Sequence, residues 1–479
     1  MVVLDASIVN IALPSAQRDL GISDANRQWV ITAYTLAFGG LLLLGGRIAD
    51  LVGRKRTFMI GLVGFAVASG LGGAAGGSGL LFGARALQGA FAALLAPSAL
   101  SLLTTTFTRG KERSKAFGIY GAIAGGGAAI GLIAGGLLTE YLTWRWCLYV
   151  NVPVAAVALV GAAVFLRAAA DRGRVTLDAP SAVLGCGGLV AIVYGCSEAE
   201  PRGWGDGLVV GMLVGGVLLL ATFAWWQTRA RHPLLPLHIV RDRNRGGAIM
   251  TMALAVIGMF GMFLFMTYYL QTVLGYSPVR TGLAFLPMVA AIVVGSTQIS
   301  ARLLHRVPPR RLMVPGALLA SAGLFTLTFL TARPAYVSHV LPAELLVGLG
   351  MGLTFMPVMA TATSGVAPHD AGVTSATVNT AQQVGGSIGT ALLNTIAAST
   401  SAAYIAGRLA EAARRAGGQG LTPAVREGVV KAGVVHGFTV AIGVGSAIML
   451  VAALIAGVLV NARPPQQAPG AGGSGPAGR

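Results

Sequence analysis

Apolar runs of about twenty residues recur along the whole chain, separated by short polar stretches. They lie at approximately 1–16, 28–46, 57–77, 79–103, 116–139, 146–166, 179–198, 208–226, 246–272, 281–301, 312–331, 339–360, 374–398 and 434–461. All but the first have about the length that a helix needs to cross a hydrocarbon core of ~30 Å. Backbone polar groups find no water inside lipid, so the spans must be helices, and the ~10-residue alternating segments of a β-barrel are absent from the pattern. The pattern predicts an all-α polytopic membrane protein with fourteen spans. The first run is too short: the stretch to Pro14 reaches only about 21 Å as a helix. We therefore expect the natural chain to start upstream by roughly one to two dozen residues. A signal peptide is not expected, because there is no basic start and Asp5 interrupts the apolar region.

Composition agrees with this class. Apolar residues make up 55% of the 479 positions and charged residues 10%, and the mean hydropathy is +0.74; a soluble domain carries about 25% charged residues. A net charge of +18 would suggest nucleic acid in a soluble protein. Here most cations fall in loops on one side, including Arg47, Arg54, Lys55, Arg56, Arg109, Lys111, Arg113, Lys115, Arg241, Arg243, Arg245, Arg306, Arg310 and Arg311. The charge thus reads as topology, with both termini cytoplasmic and no nucleic-acid partner. Trp29, Trp144, Trp146 and Trp204 mark the outer interface on this reading, and Trp225 with Trp226 the inner one. Cys147, Cys186 and Cys196 are odd in number, lie in apolar spans and read as packing residues rather than a disulfide framework or metal site. The histidines are scattered, and no converging nucleophile or metal set points to an enzyme.

The stretch Gly46–Arg56 packs cations, one acid and two glycines between two apolar runs. The positive-inside rule accounts for its arginines but not for an acid set between two glycines at this spacing. With Gly46, Arg47, Asp50, Gly53 and Arg54 it fits G-x-x-[AS]-D-x-x-G-R-[KR]. It resembles the short cytoplasmic loop between helices 2 and 3 of the major facilitator superfamily. Residues 301–311 echo it, with His305 in place of the acid, between spans 10 and 11. The echo divides the chain into a six-helix half (1–166), two linking helices with their flanking loops (167–245) and a second six-helix half (246–461). This 6+2+6 arrangement is the internal repeat of alternating-access transporters, which hold substrate between the halves. Residues 399–433 are expected as a long outer segment with a short solvated helix, and 462–479 as a disordered tail.

Further motifs narrow the resemblance. Asp5-Ala6-Ser7-Ile8-Val9-Asn10-Ile11-Ala12-Leu13-Pro14 is similar to L-D-x-[TS]-I-V-N-x-A-L-P, from the first helix of fourteen-helix drug:proton antiporters. Gly118, Gly127, Gly131, Gly135 and Gly136 follow the antiporter motif of span 5, with Leu132 where that family has proline. Their physical content is a smooth face on which a neighbouring helix can approach closely; generic small-residue packing is the alternative. Trp144-Arg145-Trp146 and Asn151-Val152-Pro153 match W-R-W…N-x-P, and Arg85-Ala86-Leu87-Gln88-Gly89 matches R-x-x-Q-G.

The resemblance implies a proton-coupled exporter of small amphipathic or cationic drugs in the bacterial cytoplasmic membrane, monomeric among membrane lipids, with no cofactor besides the proton as coupling ion. Ionisable groups inside a membrane are costly and read first as functional. Asp5 is the one acid deep in a span, and it is expected to bind the proton while facing the same water-filled space as Arg85; a structural buried pair is the alternative. Asp50 is expected to latch the halves against the start of span 11, beside Arg47 and Arg54. Gln88, Asn379, Gln382 and Gln383 are candidates for lining the substrate cavity, with helix–helix hydrogen bonding as the other reading of span 13. The family commonly has arginine where Gln382 stands, so this site lacks a fixed positive charge there. Glu344 lies near the outer end of span 12, where an acid can reach the interface. Met259, Met262 and Met266 suit either a plastic drug surface or plain packing. Export of one endogenous metabolite or self-made antibiotic, and ligand reception without transport, are the competing functions.

Overall fold

Helices occupy the apolar runs. The computed structural model describes residues 1–22, 29–107, 110–166, 178–230, 233–235, 237–330, 336–367, 370–415 and 422–462, and no strand occurs among them. In chain order the first helices are α1 (Val2–Asp19), α2 (Trp29–Val52), α3 (Arg54–Gly73), α4 (Ser78–Thr106), α5 (Gly110–Tyr141) and α6 (Asn151–Phe165). The turn Trp146–Tyr149 leads into α6. Next come α7 (Ala179–Arg202), α8 (Gly207–Gln227), the short α9 (Leu237–Arg241), α10 (Arg243–Tyr268), α11 (Pro278–Ala284) and α12 (Leu286–Val293). The last are α13 (Arg310–Leu327), α14 (Leu341–Ala362), α15 (Ala371–Arg415) and α16 (Pro423–Leu459).

Ten membrane-length apolar helices are found among the described residues. The other expected spans are helical too, in α1, α5, α13 and α15, but glycines, small polar residues and charged ends lower their hydropathy.

Local chemistry sets the ends. Asp178, Asp206, Asp242 and Ser277 each accept backbone N–H groups at the start of a helix, satisfying donors that have no intrahelical partner. Gly53 separates α2 from α3 with φ +101°, a conformation that side-chain-bearing residues avoid. Three wider, π-helical stretches occur at Tyr269–Val273, Val294–Ser300 and Tyr336–Val340.

The apolar core forms separate clusters. Two are drawn wholly from α1–α4, α6 and the turns near them, around Leu148 and around Phe65. A larger one comes wholly from residues 255–453. α5 touches both groups, packing on α1 and on α11–α12, while α7 packs on α2 and α15. Trp204 donates to Thr395 Oγ1 at 2.8 Å, tying the α7–α8 connection to α15.

One expectation is corrected here. Residues 399–415 are not a separate short helix but the continuation of α15, and residues 423–433 likewise belong to α16. α15 has 45 residues, a rise of roughly 67 Å against a hydrocarbon core of ~30 Å. Small residues let the extended helices pack: a Cβ at Gly437 would lie 2.3 Å from the Ala397 carbonyl oxygen. The expected tail lies, from 463 on, outside the described residues, as do 416–421 and the side chain at 132.

Candidate functional site

Asp5 enters the core from the first turn of α1 and is fully buried. Arg85 of α4 meets it, with Nη1 donating to Asp5 Oδ2 at 2.7 Å and Nε to the Val30 carbonyl at 3.1 Å. The other carboxylate oxygen, Oδ1, accepts from Gln88 Nε2 at 2.8 Å and from Asn151 Nδ2 at 2.7 Å. Ser69 of α3 closes the group: it accepts from Gln88 and Asn151 and donates to the Leu148 carbonyl. The Tyr34 ring lies 4.3 Å from the guanidinium carbon. Burying two charges is costly, and their attraction offsets this only when the remaining lone pairs and protons are satisfied. Here both carboxylate oxygens are satisfied, leaving the Tyr34 hydroxyl and Asn151 Oδ1 without partners.

This arrangement changes two expectations. Asp5 and Arg85 do meet, but in a packed setting with at most 2% exposure rather than across a water-filled space. Gln88 does not line a separate cavity, because its position one turn after Arg85 turns it onto Asp5. Asn151 and Ser69 were not expected in this cluster. The N-x-P motif was the available signal for Asn151, and nothing in the sequence marked Ser69. A small apolar crevice of about 10 Å³ adjoins Arg85, lined by residues including Val9, Leu81, Trp144 and Leu148.

Asp50, on the last turn of α2, accepts from Gly372 N at 3.0 Å and Val373 N at 3.2 Å. These are free amides in the first turn of α15, so the carboxylate caps the positive end of that helix. Arg54 Nη2 stands 3.7 Å from Asp50, and Arg47 is nearly buried alongside. The expected partner, the start of span 11, is thereby corrected to the start of the run expected as span 13. The start of α13 is engaged elsewhere: Arg310 reaches the Gly457 carbonyl and Asn461. Glycine makes the α15 contact possible, since a Cβ at Gly372 would lie 2.5 Å from Asp50 Oδ1 and one at Gly46 would lie 2.4 Å from Ala376 Cβ. A second arm was missed because Arg113 reads as one cation among many. It donates from α5 to the Thr363 carbonyl at 2.8 Å and hydroxyl at 2.9 Å. Arg245 reaches the Ser364 and Gly365 carbonyls, and His238 lies 3.4 Å from Asp370.

The glycines of α5 serve two neighbours. A Cβ at Gly131 would lie 2.7 Å from Ser7 Cβ and 2.8 Å from the Leu4 carbonyl, and one at Gly135 3.0 Å from the Ile8 carbonyl. Gly127 continues this face against Val3. Gly118 and Gly136 instead approach Ser296 and Val279. One helix therefore holds α1, with its Asp5, against the 278–301 segment.

The polar side chains of α15 find different partners. Asn379 donates to the Ser375 carbonyl of its own helix, Gln382 to Met252 Sδ at 3.5 Å, and Gln383 is half-buried facing α2. Met262 and Met266 are core residues. Glu344 does not reach an interface: it is fully buried, with Oε1 unpartnered.

Residues 1–390 match the family model described as Major Facilitator Superfamily. The chain is 56% identical over 465 residues to the puromycin resistance protein pur8 of Streptomyces alboniger, covering 97% of this chain and 89% of that one. It is 41% identical to the cephamycin export protein CmcT of Amycolatopsis lactamdurans, covering 83% of each. It is 36% identical to the tetracenomycin C resistance and export protein of Streptomyces glaucescens, covering 98% of this chain and 91% of the other. Among solved structures, the human organic anion transporter MFSD10 (TETRAN) superposes with a TM-score of 0.60 at 12% identity, covering 95% of this chain and 98% of that one. That likeness is one of fold.

Proposed function

The chain belongs to the major facilitator superfamily, and from that premise we propose that it exports antibiotics across the bacterial cytoplasmic membrane in exchange for protons. The observation that carries the proton part is the Asp5 cluster. Ionised Asp5 is completed by donors from Arg85, Gln88 and Asn151. A proton on that carboxyl adds a donor where donors already converge, so at least one of these bonds must break and the helices carrying them are released to move. Proton binding is thereby tied to a rearrangement among α1, α3, α4 and α6. Two contacts supply the other element of alternating access: Asp50 and Arg113 bridge early helices to the α14–α15 connection, so the molecule is latched closed on that face.

On this reading the helices are arranged 6+2+6, with α7 and α8 linking the halves and the latch on the cytoplasmic side. Substrates are small amphipathic or cationic molecules. The relatives named for puromycin, cephamycin and tetracenomycin C favour a second, narrower reading, the dedicated export of one antibiotic.

Everted membrane vesicles with puromycin and a panel of chemically distinct drugs test both readings. We expect acid-interior vesicles to accumulate puromycin and Asp5→Asn to abolish that uptake while the protein remains folded. Unchanged gradient-driven uptake in Asp5→Asn would sink the proton assignment. Transport of one compound in the panel supports the dedicated exporter, and transport of several the multidrug one.

A further inference from the structure

The Asp5 cluster leaves one buried acid unused. Glu344 lies in the first turn of α14, with no exposed surface. Oε2 accepts from the Tyr336 hydroxyl at a long 3.3 Å, and that hydroxyl also donates to the Ala284 carbonyl at 2.7 Å. Oε1 has no partner, and no ion pair to Glu344 occurs among the described residues. Its neighbours along α14, Ala343 and Val347, and Val340 just before that helix belong to the largest apolar cluster, as do Phe285 and Met288. Tyr276 stands behind Tyr336 with ring centres 6.4 Å apart, and Arg280 stacks on Tyr276 with its guanidinium carbon 4.0 Å from the ring centre. Among the described residues no cation touches the carboxyl. Tyr336 is the titratable group that hydrogen-bonds it among the described residues, and Arg280 stands beyond the second tyrosine.

Asp5 has an arginine and two amides to compensate its charge; Glu344 has half of one hydroxyl. An ionised carboxylate buried without a cation is among the most costly groups a protein can hold, and a proton is the smallest cation that compensates it. We propose that Glu344, with Tyr336 as its hydrogen-bonding partner, is a second proton-binding site, in the part of the chain that carries the larger apolar cluster. α14 ends on the latched face, at Thr363, so Glu344 lies toward the opposite face. The run Glu344–Tyr336–Tyr276–Arg280 is a line of polar groups leading from the buried carboxyl to the exposed Arg280. The π-helical stretch Tyr336–Val340 supplies the tyrosine from directly before α14, a geometry that recurs at functional sites. This inference deepens the transport reading but its test does not depend on any drug being carried.

The test is infrared difference spectroscopy of the full-length protein in lipid vesicles, titrated from about pH 5 to about pH 10, a range that covers documented buried carboxyls. We expect a protonated-carboxyl C=O stretch that shifts in D2O and is lost on alkalinisation. The band should be present in wild type and in Asp5→Asn, absent in Glu344→Gln, and shifted in frequency in Tyr336→Phe. A band that persists in Glu344→Gln, one that responds to neither pH nor D2O, or no band in the wild type overturns the proposal. Tyr336→Phe keeps the test decisive if Glu344→Gln does not fold, since a band unaffected by loss of that hydroxyl does not belong to Glu344. Failure of the transport reading appears separately, as vesicles that do not accumulate puromycin.

Discussion

Asn151 and Asp5 are 146 positions apart in the chain and meet at 2.7 Å, both fully buried. The same Asn151 amide reaches Ser69 Oγ at 3.0 Å, so the start of α6 is fastened to α1 and α3 through one nitrogen. Asn151→Ala should destabilise the protein by about 1–3 kcal/mol, as expected when a buried acceptor loses a donor. Asn151→Asp should be worse, because it sets a second carboxylate beside the first. Thermal unfolding in detergent reads both, and an Asn151→Asp variant as stable as Asn151→Ala contradicts an ionised Asp5.

Arg85 is the cation of this cluster, and its loss strands the acid. Arg85→Gln alone should cost about 3–5 kcal/mol, the usual penalty for breaking a buried pair. Adding Asp5→Asn should recover most of that loss, since no charge then remains to compensate. A double variant no more stable than Arg85→Gln would mean that the two charges are not coupled. Arg85→Lys should rescue only in part, because a single ammonium cannot reach Asp5, Gln88 and the Val30 carbonyl in the planar fork that arginine offers.

How much of this was legible in the sequence differs by element. Apolar runs located the helices because crossing a membrane demands a length and a composition, and the Asp5 and Arg85 motifs pointed to residues that do meet. Ser69 was invisible, since a serine in a glycine-rich helix has no pattern of its own. Asp50 stands out in the sequence as an acid placed to meet a helix start, but the helix it meets is α15 and not the expected one. Spacing identifies an acid that needs a helix start, and only packing decides which start has a glycine where the carboxylate must lie. The 399–433 segment misled for a related reason: its charges ended the hydropathy run, yet α15 continues because alanines and i, i+4 pairs sustain a helix in water.

The latch contact rests on bare backbone. Asp50→Ala removes the cap of α15, and Gly372→Ala places a methyl 2.5 Å from the carboxylate oxygen. Both should favour opening on the latched face. Ser375 is fully buried beside the contact; as Ser375→Cys, in a background with Cys147, Cys186 and Cys196 replaced by alanine, it reports opening by thiol labelling. A carboxylate at a partly buried helix start is worth up to ~2 kcal/mol, so labelling should accelerate by up to roughly thirtyfold. Equal rates with and without Asp50 would remove it from the latch.

Gly131 tests whether α5 positions the Asp5 cluster. Gly131→Ala drives a methyl against Ser7 Cβ and the Leu4 carbonyl, both on α1 and both next to the turn that carries Asp5. Its effect should appear as weakened gradient-driven puromycin uptake out of proportion to the loss of stability. Gly83→Ala is the control: its Cβ meets nothing within 4 Å, and replacing a helical glycine there should be neutral or stabilise by about 0.5–1 kcal/mol. Equal transport in the two variants would separate the glycine face from coupling.

Beyond the expected spans, α15 and α16 stay together by close approach rather than by charge. Gly433 faces Ile405, Gly437 faces the Ala397 carbonyl, and the Tyr404 and His436 rings lie 4.6 Å apart. The ion pairs on this hairpin, Arg408–Glu411, Arg415–Glu411 and Lys431–Glu427, are exposed, and such pairs contribute about 0–1 kcal/mol. Gly437→Val should therefore separate the helices and speed proteolysis within 399–433 several-fold, whereas Glu427→Ala should leave it nearly unchanged. The reverse order, with the charge variant the more labile, would show that the pairs and not the glycines hold the extension. The distinction can be read on the intact protein in vesicles, because the cut sites lie in the helices themselves. Two helices that rise past the hydrocarbon core must find their stability in water, where only packing this close outweighs hydration.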